Sequence, residues 1–140
     1  MKRLAELLAL ALLATAHGAD AAAGQAGAYT AQLGELINGY RAQHRLAPLA
    51  LVEPLSELAH EHATYMARED RLSHDGFQQR FAKARSPACV ENVGAGLRTP
   101  GAEFEAWRNS PTHARNLLDP RITRMGIAIE GRYVAFFACR

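Results

Sequence analysis

The stretch PLSELAHEHATYM, residues 54–66, decides the fold because it is the most regular segment of the chain. Read as a helix, it carries on one side Leu55, Leu58, Ala59, His62, Ala63 and Met66. Apolar residues at three- and four-residue steps predict an amphipathic helix whose apolar face packs on a core. Pro54 suits the first turn of this helix, where no amide proton is needed.

Two histidines lie in this helix, but their spacing does not predict a metal site. His60 and His62 are two residues apart, which places their rings on different faces, unlike the four-residue spacing of the HExxH zinc motif. We interpret His62, on the apolar face, as a core histidine bonded to a backbone carbonyl. We interpret His60 as solvated.

The other elements are predicted outward from this helix. An earlier helix begins at Tyr29 and presents Leu33, Leu36, Ile37 and Tyr40. Downstream, the patterns predict a short helix over 77–84, a strand over 90–97, a helix burying Phe104 and Trp107, a helix with Ser110 as N-cap and Pro111 in its first turn, and a hairpin of strands 126–130 and 133–139. Helices packed with a small antiparallel sheet predict an α+β layered domain.

Composition excludes some classes of protein. The chain has 140 residues, enough for one domain with its own core. Its formal net charge is +2, and its basic residues form no run. A nucleic-acid-binding protein would concentrate positive charge on one stretch or face, so we expect no nucleic-acid partner.

The N-terminus has the pattern of an export signal. Lys2 and Arg3 precede an apolar run from Leu4 to Ala16, and small residues follow. This pattern predicts a signal peptide over residues 1–23, a flexible Ala/Gly-rich lead-in over 24–30 and one domain over 31–140. The run is too short to cross a bilayer comfortably, so we expect no transmembrane anchor after cleavage. An uncleaved amphipathic helix is the alternative.

Export changes the interpretation of the two cysteines. Cys89 and Cys139 are the only pair, and an even count in an oxidising compartment predicts a disulfide. Closing a loop of about 50 residues would stabilise the fold by about 4 kcal/mol in the chain-entropy model. A catalytic cysteine with a histidine partner is the alternative.

Three polar side chains lie beside turns or helix starts, where they can converge in one cleft. They are His74 in Ser73–Gly76, Glu91 before Asn92, and His113 two residues after Pro111. Two neutral imidazoles and one carboxylate form a plausible ligand set for a divalent metal such as Zn²⁺, which would polarise a bound water. Alternatively, each group bonds only to its local backbone.

These motifs together resemble the CAP superfamily (cysteine-rich secretory proteins, antigen 5 and pathogenesis-related 1) in its bacterial form. The resemblance covers about residues 36–138 and rests on NGYR at 38–41, HATYM at 62–66, SH at 73–74, ENV at 91–93, AW at 106–107, NSPTHARNLL at 109–118 and TRMGIA at 123–128. It implies a three-layer α-β-α sandwich with a small antiparallel sheet.

The resemblance also implies a cleft with two histidines and two acidic residues. His74, Glu91 and His113 match three of them, while Ser110 stands where many members have the second glutamate. Val90 and Arg45 replace common glycines. Because the fourth carboxylate is missing, we expect any metal affinity to be modest.

Three functions are consistent with these observations. The first is a secreted or periplasmic, monomeric, non-enzymatic binding module that engages an envelope, lipid or protein ligand through the His74/Glu91/His113 cleft. The second is a metal-assisted hydrolase acting on a peptide or envelope substrate. The third is a structural envelope protein with a vestigial cleft. The motifs supply one carboxylate, whereas glycosidase chemistry requires two.

Overall fold

The helices and strands follow the predicted order in the computed structural model, which describes the backbone of residues 2–140 and the side chains of residues 18–140. Within that part of the chain there are five helices and four strands. The helices are α1 (Lys2–Gln43), α2 (Glu53–Glu69), α3 (Phe77–Ala84), α4 (Pro100–Arg108) and α5 (Pro111–Leu117). The strands are β1 (Ala50–Leu51), β2 (Cys89–Ala95), β3 (Arg124–Glu130) and β4 (Tyr133–Cys139).

The N-terminal helix differs from expectation. Residues 24–30, expected to be a flexible lead-in, are helical and belong to α1. Alanine is the strongest helix former, and Tyr29 is already buried in the core with Leu33 and Ile37. The side chains of residues 1–17 lie outside the described residues, so the signal peptide over 1–23 stays a prediction. Among the described residues, no helix combines the length and apolarity needed to cross a membrane.

The sheet is mixed, which corrects the expectation of a purely antiparallel one. Its order is β1-β3-β4-β2, and β2, β4 and β3 are antiparallel neighbours. The two-residue strand β1 joins β3 in parallel, with Ala50 opposite Arg124 and Leu51 opposite Met125. A parallel neighbour requires a long crossover connection, and here α2, β2 and the intervening helices supply it.

Two cores cover the two faces of the sheet and confirm the α-β-α sandwich. On one face α1 and α4 pack against β3 and β4, and Trp107, 1% exposed, donates from Nε1 to the carbonyl of Val93 at 3.2 Å. On the other face α2 packs so closely that a Cβ at Gly126 would overlap the backbone of Leu55. The predicted burial of Phe104 and Trp107 is also confirmed.

The predicted disulfide is confirmed. Cys89 and Cys139 are bonded and lie opposite each other at the start of β2 and the end of β4. Since neither thiol is free, a catalytic cysteine is excluded.

One buried carboxylate near the first core has an oxygen with no hydrogen-bond partner among the described residues. Glu103 in α4 is 1% exposed, and its Oε2 makes no hydrogen bond. It fills the space above Gly94, where a Cβ would overlap its carboxylate. Burial raises the pKa of Glu103 to about 7. Burial, followed by the charge of Glu103, raises the pKa of the Tyr29 hydroxyl to about 12.

We therefore predict that Glu103 makes stability depend on pH. Its pKa is higher folded than unfolded, so its contribution is greatest below the ordinary value of 4.5 and is lost as pH rises through 7. Relative to Glu103→Gln, the free energy of unfolding should fall by about 3 kcal/mol as the pH rises between those limits. Urea unfolding of both proteins at several pH values measures the difference. If the free energies of unfolding of the two proteins change with pH in parallel, Glu103 ionises as freely in the fold as in water and the prediction is wrong.

Candidate functional site

Glu91 lies at the centre of the site and is held by Arg80. The Glu91 side chain is 2% exposed in the middle of β2. Arg80, from α3, donates from Nε to Oε2 at 2.7 Å and from Nη2 to Oε1 at 2.8 Å. This bidentate pair neutralises a carboxylate that would be costly to bury alone. A third Arg80 bond, from Nη1 to the carbonyl of Asp75 at 2.8 Å, fixes the turn before α3.

His74 hydrogen-bonds to the same carboxylate. Its Nδ1 lies 2.9 Å from Oε1 of Glu91, and its side chain is 52% exposed. Burial alone would raise the pKa of Glu91, but hydrogen bonds from His74 and Arg80 and the charge of Arg80 hold this pKa below its usual value. An ionised carboxylate only accepts hydrogen bonds, so Nδ1 of His74 carries the proton. Glu91 therefore orients the ring of His74 and leaves Nε2 for other partners.

His62 contacts the turn that carries His74, on its buried side. Its Nε2 lies 2.7 Å from the carbonyl of Ser73, which confirms the predicted core histidine bonded to a backbone carbonyl. Because a carbonyl only accepts, Nε2 of His62 carries a proton. Burial lowers the pKa of His62, although Glu91, with Oε1 at 3.7 Å, and the Ser73 bond oppose the shift. Among the described residues, the buried Nδ1 has no hydrogen-bond partner.

His113 belongs to α5, which packs against β2. The side-chain amide of Asn92 donates to the carbonyl of His113 at 3.1 Å, and Asn116 donates to the Glu91 carbonyl at 3.1 Å and the Asn92 side chain at 2.9 Å. These bonds attach α5 to β2. Burial, and then the charge of nearby His74, lower the pKa of His113. His113 is therefore a neutral imidazole at neutral pH.

Glu91 and Asn92 direct their side chains to opposite sides of the edge strand β2. Successive side chains of a strand point to opposite faces, so Glu91 meets His74 while Asn92 meets α5. β2 is the last strand of the sheet, which lets the two sides approach around its edge. The structure joins His74 and Glu91 directly, and within the described residues no hydrogen bond or ion pair joins the ring of His113 to either.

Ser110 corrects one expectation. It occupies the N-cap position of α5, with φ −98° and ψ 117°, but its side chain makes no capping hydrogen bond. A side-chain cap of the predicted kind occurs instead in the preceding helix, α4, where Oγ1 of Thr99 accepts from the amide of Ala102 at 3.1 Å. The prediction that Ser110 occupies the N-cap position of α5 is thus confirmed, but the side-chain hydrogen bond expected of an N-cap serine is not formed.

The geometry does not fit a three-residue metal set. Both oxygens of Glu91 accept from Arg80, and one also accepts from His74. Among the described residues no group of three or more His, Cys, Asp or Glu side chains is placed to hold a metal ion. Glu91 is engaged by Arg80 and His74 and has no oxygen free for a cation. Of the three predicted ligands, this leaves the imidazoles of His74 and His113.

Sequence spacing did not reveal Arg80. It lies eleven residues before Glu91 in a short, polar helix and is nevertheless buried. The available signal was indirect: a carboxylate predicted inside a strand requires a counter-charge. In α3, Phe77 and Phe81 mark the face that turns toward the core, and Arg80 lies beside it.

Comparisons with known proteins agree with this fold. The sequence model of the family described as Cysteine-rich secretory protein family, CAP, matches residues 35–139. The uncharacterized protein YkwD of Bacillus subtilis is 30% identical over 107 residues, which are 71% of this chain and 42% of that protein. The uncharacterized membrane protein YlbC of B. subtilis is 28% identical over 109 residues, 73% of this chain and 32% of that protein. The chain thus spans less than half the length of these relatives.

Two solved structures are similar in fold. An extracellular protein containing a SCP domain from Bacillus anthracis has a TM-score of 0.78 at 24% identity, covering 82% of this chain and 41% of that one. An outer surface protein from Borrelia burgdorferi has a TM-score of 0.71 at 20% identity, covering 77% of this chain and 89% of that one.

Proposed function

Because the chain belongs to the cysteine-rich secretory protein (CAP) family, we propose that it is a non-enzymatic binding module acting outside the cytoplasm. His74 and His113 form its contact surface for an envelope, lipid or protein ligand. The export-type N-terminus supports this location, as do the two proteins of similar fold, one extracellular and one an outer surface protein.

One observation carries the non-enzymatic proposal: Glu91 is unavailable for chemistry. A general base or metal-binding carboxylate needs a free oxygen that reaches the substrate or the ion. The Glu91 oxygens are engaged by Arg80 and His74, and the side chain is 2% exposed. Glu91 instead fixes the exposed ring of His74. A neutral Nε2 on His74 accepts a hydrogen bond, and a protonated one attracts an anion.

We test the proposal by co-sedimentation with two probes, purified peptidoglycan and vesicles of phosphatidylglycerol. The protein should sediment with at least one of them, and His74→Ala combined with His113→Ala should lower the bound fraction about tenfold. His44→Ala is the matched control, because His44 is exposed just after α1 and, among the described residues, hydrogen-bonds only to the carbonyl of Tyr40. It should bind like the unaltered protein.

Two outcomes would overturn the proposal. Equal binding by the double variant and the unaltered protein would place the contact surface elsewhere. Hydrolysis of a peptide or peptidoglycan substrate that requires Zn²⁺ and is lost in His74→Ala would favour the metal-assisted hydrolase.

A further inference from the structure

The free edge of β3 is a second feature, remote from the histidine cleft. The parallel partner β1 ends at Leu51, opposite Met125, and the last bond on that side runs from the amide of Val52 to the carbonyl of Met125 at 2.9 Å. Within the described chain, β3 from Gly126 to Glu130 has no partner strand on this side. Alternate residues of an edge strand direct their amide and carbonyl groups outward, where another strand can bond to them.

Two helices turn this edge into the floor of a slot. α1 and α2 lie on opposite faces of the sheet, and a cavity of about 870 Å³ runs between them over residues 127–131 of the strand and its turn. From α1 the lining side chains are mostly small, among them Ala26, Gly27 and Thr30. Five strand residues span about 17 Å, so the slot matches an extended segment of similar length.

The opposite wall of the slot is acidic. Glu53 and Glu57 of α2 and Glu130 at the end of β3 line it, against one arginine, Arg98. All three glutamates are exposed, and His60 lies 3.4 Å from the Glu130 carboxylate. The three carboxylates and the one guanidinium together give the slot a net charge of about −2. A second copy of this chain would bring the same carboxylates against one another, whereas a cationic segment would be attracted.

We propose that this slot binds an extended peptide segment carrying lysine or arginine side chains, which adds to β3 as a further strand. Backbone hydrogen bonds to the strand edge supply affinity, and the carboxylates of Glu53, Glu57 and Glu130 select basic side chains at alternate positions. The small side chains of α1 leave room for the intervening residues. The strand and the acidic wall lie outside residues 1–23, so they do not depend on the predicted signal peptide.

The test is fluorescence anisotropy with a labelled hexapeptide of alternating lysine and valine at low salt. Glu57→Gln combined with Glu130→Gln should weaken binding about tenfold, at the upper end of what two exposed ion pairs contribute. A peptide with alternate amides N-methylated should also bind about tenfold more weakly, because it cannot complete the strand pairing. Glu105→Gln is the matched control, since Glu105 is exposed and pairs with Arg108 on α4.

Absence of binding would overturn the proposal, and the acidic wall would then serve to keep the edge from pairing. If the N-methylated peptide binds with the same affinity as the unmodified peptide, charge attraction alone accounts for binding and strand addition is wrong. Self-association of the protein in sedimentation that becomes stronger in the Glu57→Gln, Glu130→Gln variant would assign the slot to a second copy and overturn the proposal.

Discussion

Replacing Arg80 with alanine is expected to lower the free energy of unfolding by about 3–5 kcal/mol. The substitution leaves the Glu91 carboxylate buried with neither of its two guanidinium bonds. It also removes the bond to the Asp75 carbonyl and so loosens the turn that carries His74. Urea unfolding at neutral pH measures the change.

A double-mutant cycle separates the ion pair from the packing of the arginine stem. Glu91→Gln removes the charge that needs Arg80, so Arg80→Ala should cost less in that background than in the unaltered protein. Arg108→Ala is the control, since its exposed pair with Glu105 should contribute no more than about 1 kcal/mol. If Arg80→Ala costs no more than this control, the pair does not hold Glu91.

Removing the disulfide by Cys89→Ala with Cys139→Ala should cost about 4 kcal/mol, because the bridge closes a 50-residue loop. The bridge joins β2 to the last residue of β4, so hydrogen exchange should quicken first at that end of the pair. Both effects are measured against the oxidised protein.

Mass analysis without reductant provides the check on the native state. The intact protein should have two hydrogen atoms fewer than the reduced chain. Rapid alkylation of two thiols in the folded, unreduced protein would contradict the bridge.

Much of the fold was predictable because local signals agree with tertiary packing. The apolar spacing of α2 survives in the structure as its buried face, and the lone cysteine pair left one possible disulfide. The two-residue strand β1 has no periodicity from which to predict it. The expected lead-in is helical because its alanines favour helix and Tyr29 anchors it to the core.

The sequence proposes the residues of the candidate site, but it could not give their arrangement. Sequence motifs identified His74, Glu91 and His113, yet they could not show that strand alternation directs Glu91 and Asn92 to opposite faces of β2. Nor could they show that Arg80 occupies both oxygens of Glu91, since that contact depends on how α3 docks. The proposed role of Glu91 as an anchor for His74 follows from these tertiary contacts.

The orientation of His74 by Glu91 is tested most directly by long-range ¹H–¹⁵N NMR of the histidine rings, at about pH 8.5, where ordinary imidazoles are neutral. We predict that His74 carries its proton on Nδ1, which donates to Glu91, and that His62 carries its proton on Nε2, which donates to Ser73. A His74 ring protonated mainly on Nε2 would contradict the hydrogen bond to Glu91 and with it the proposed role of Glu91 as the anchor of the cleft.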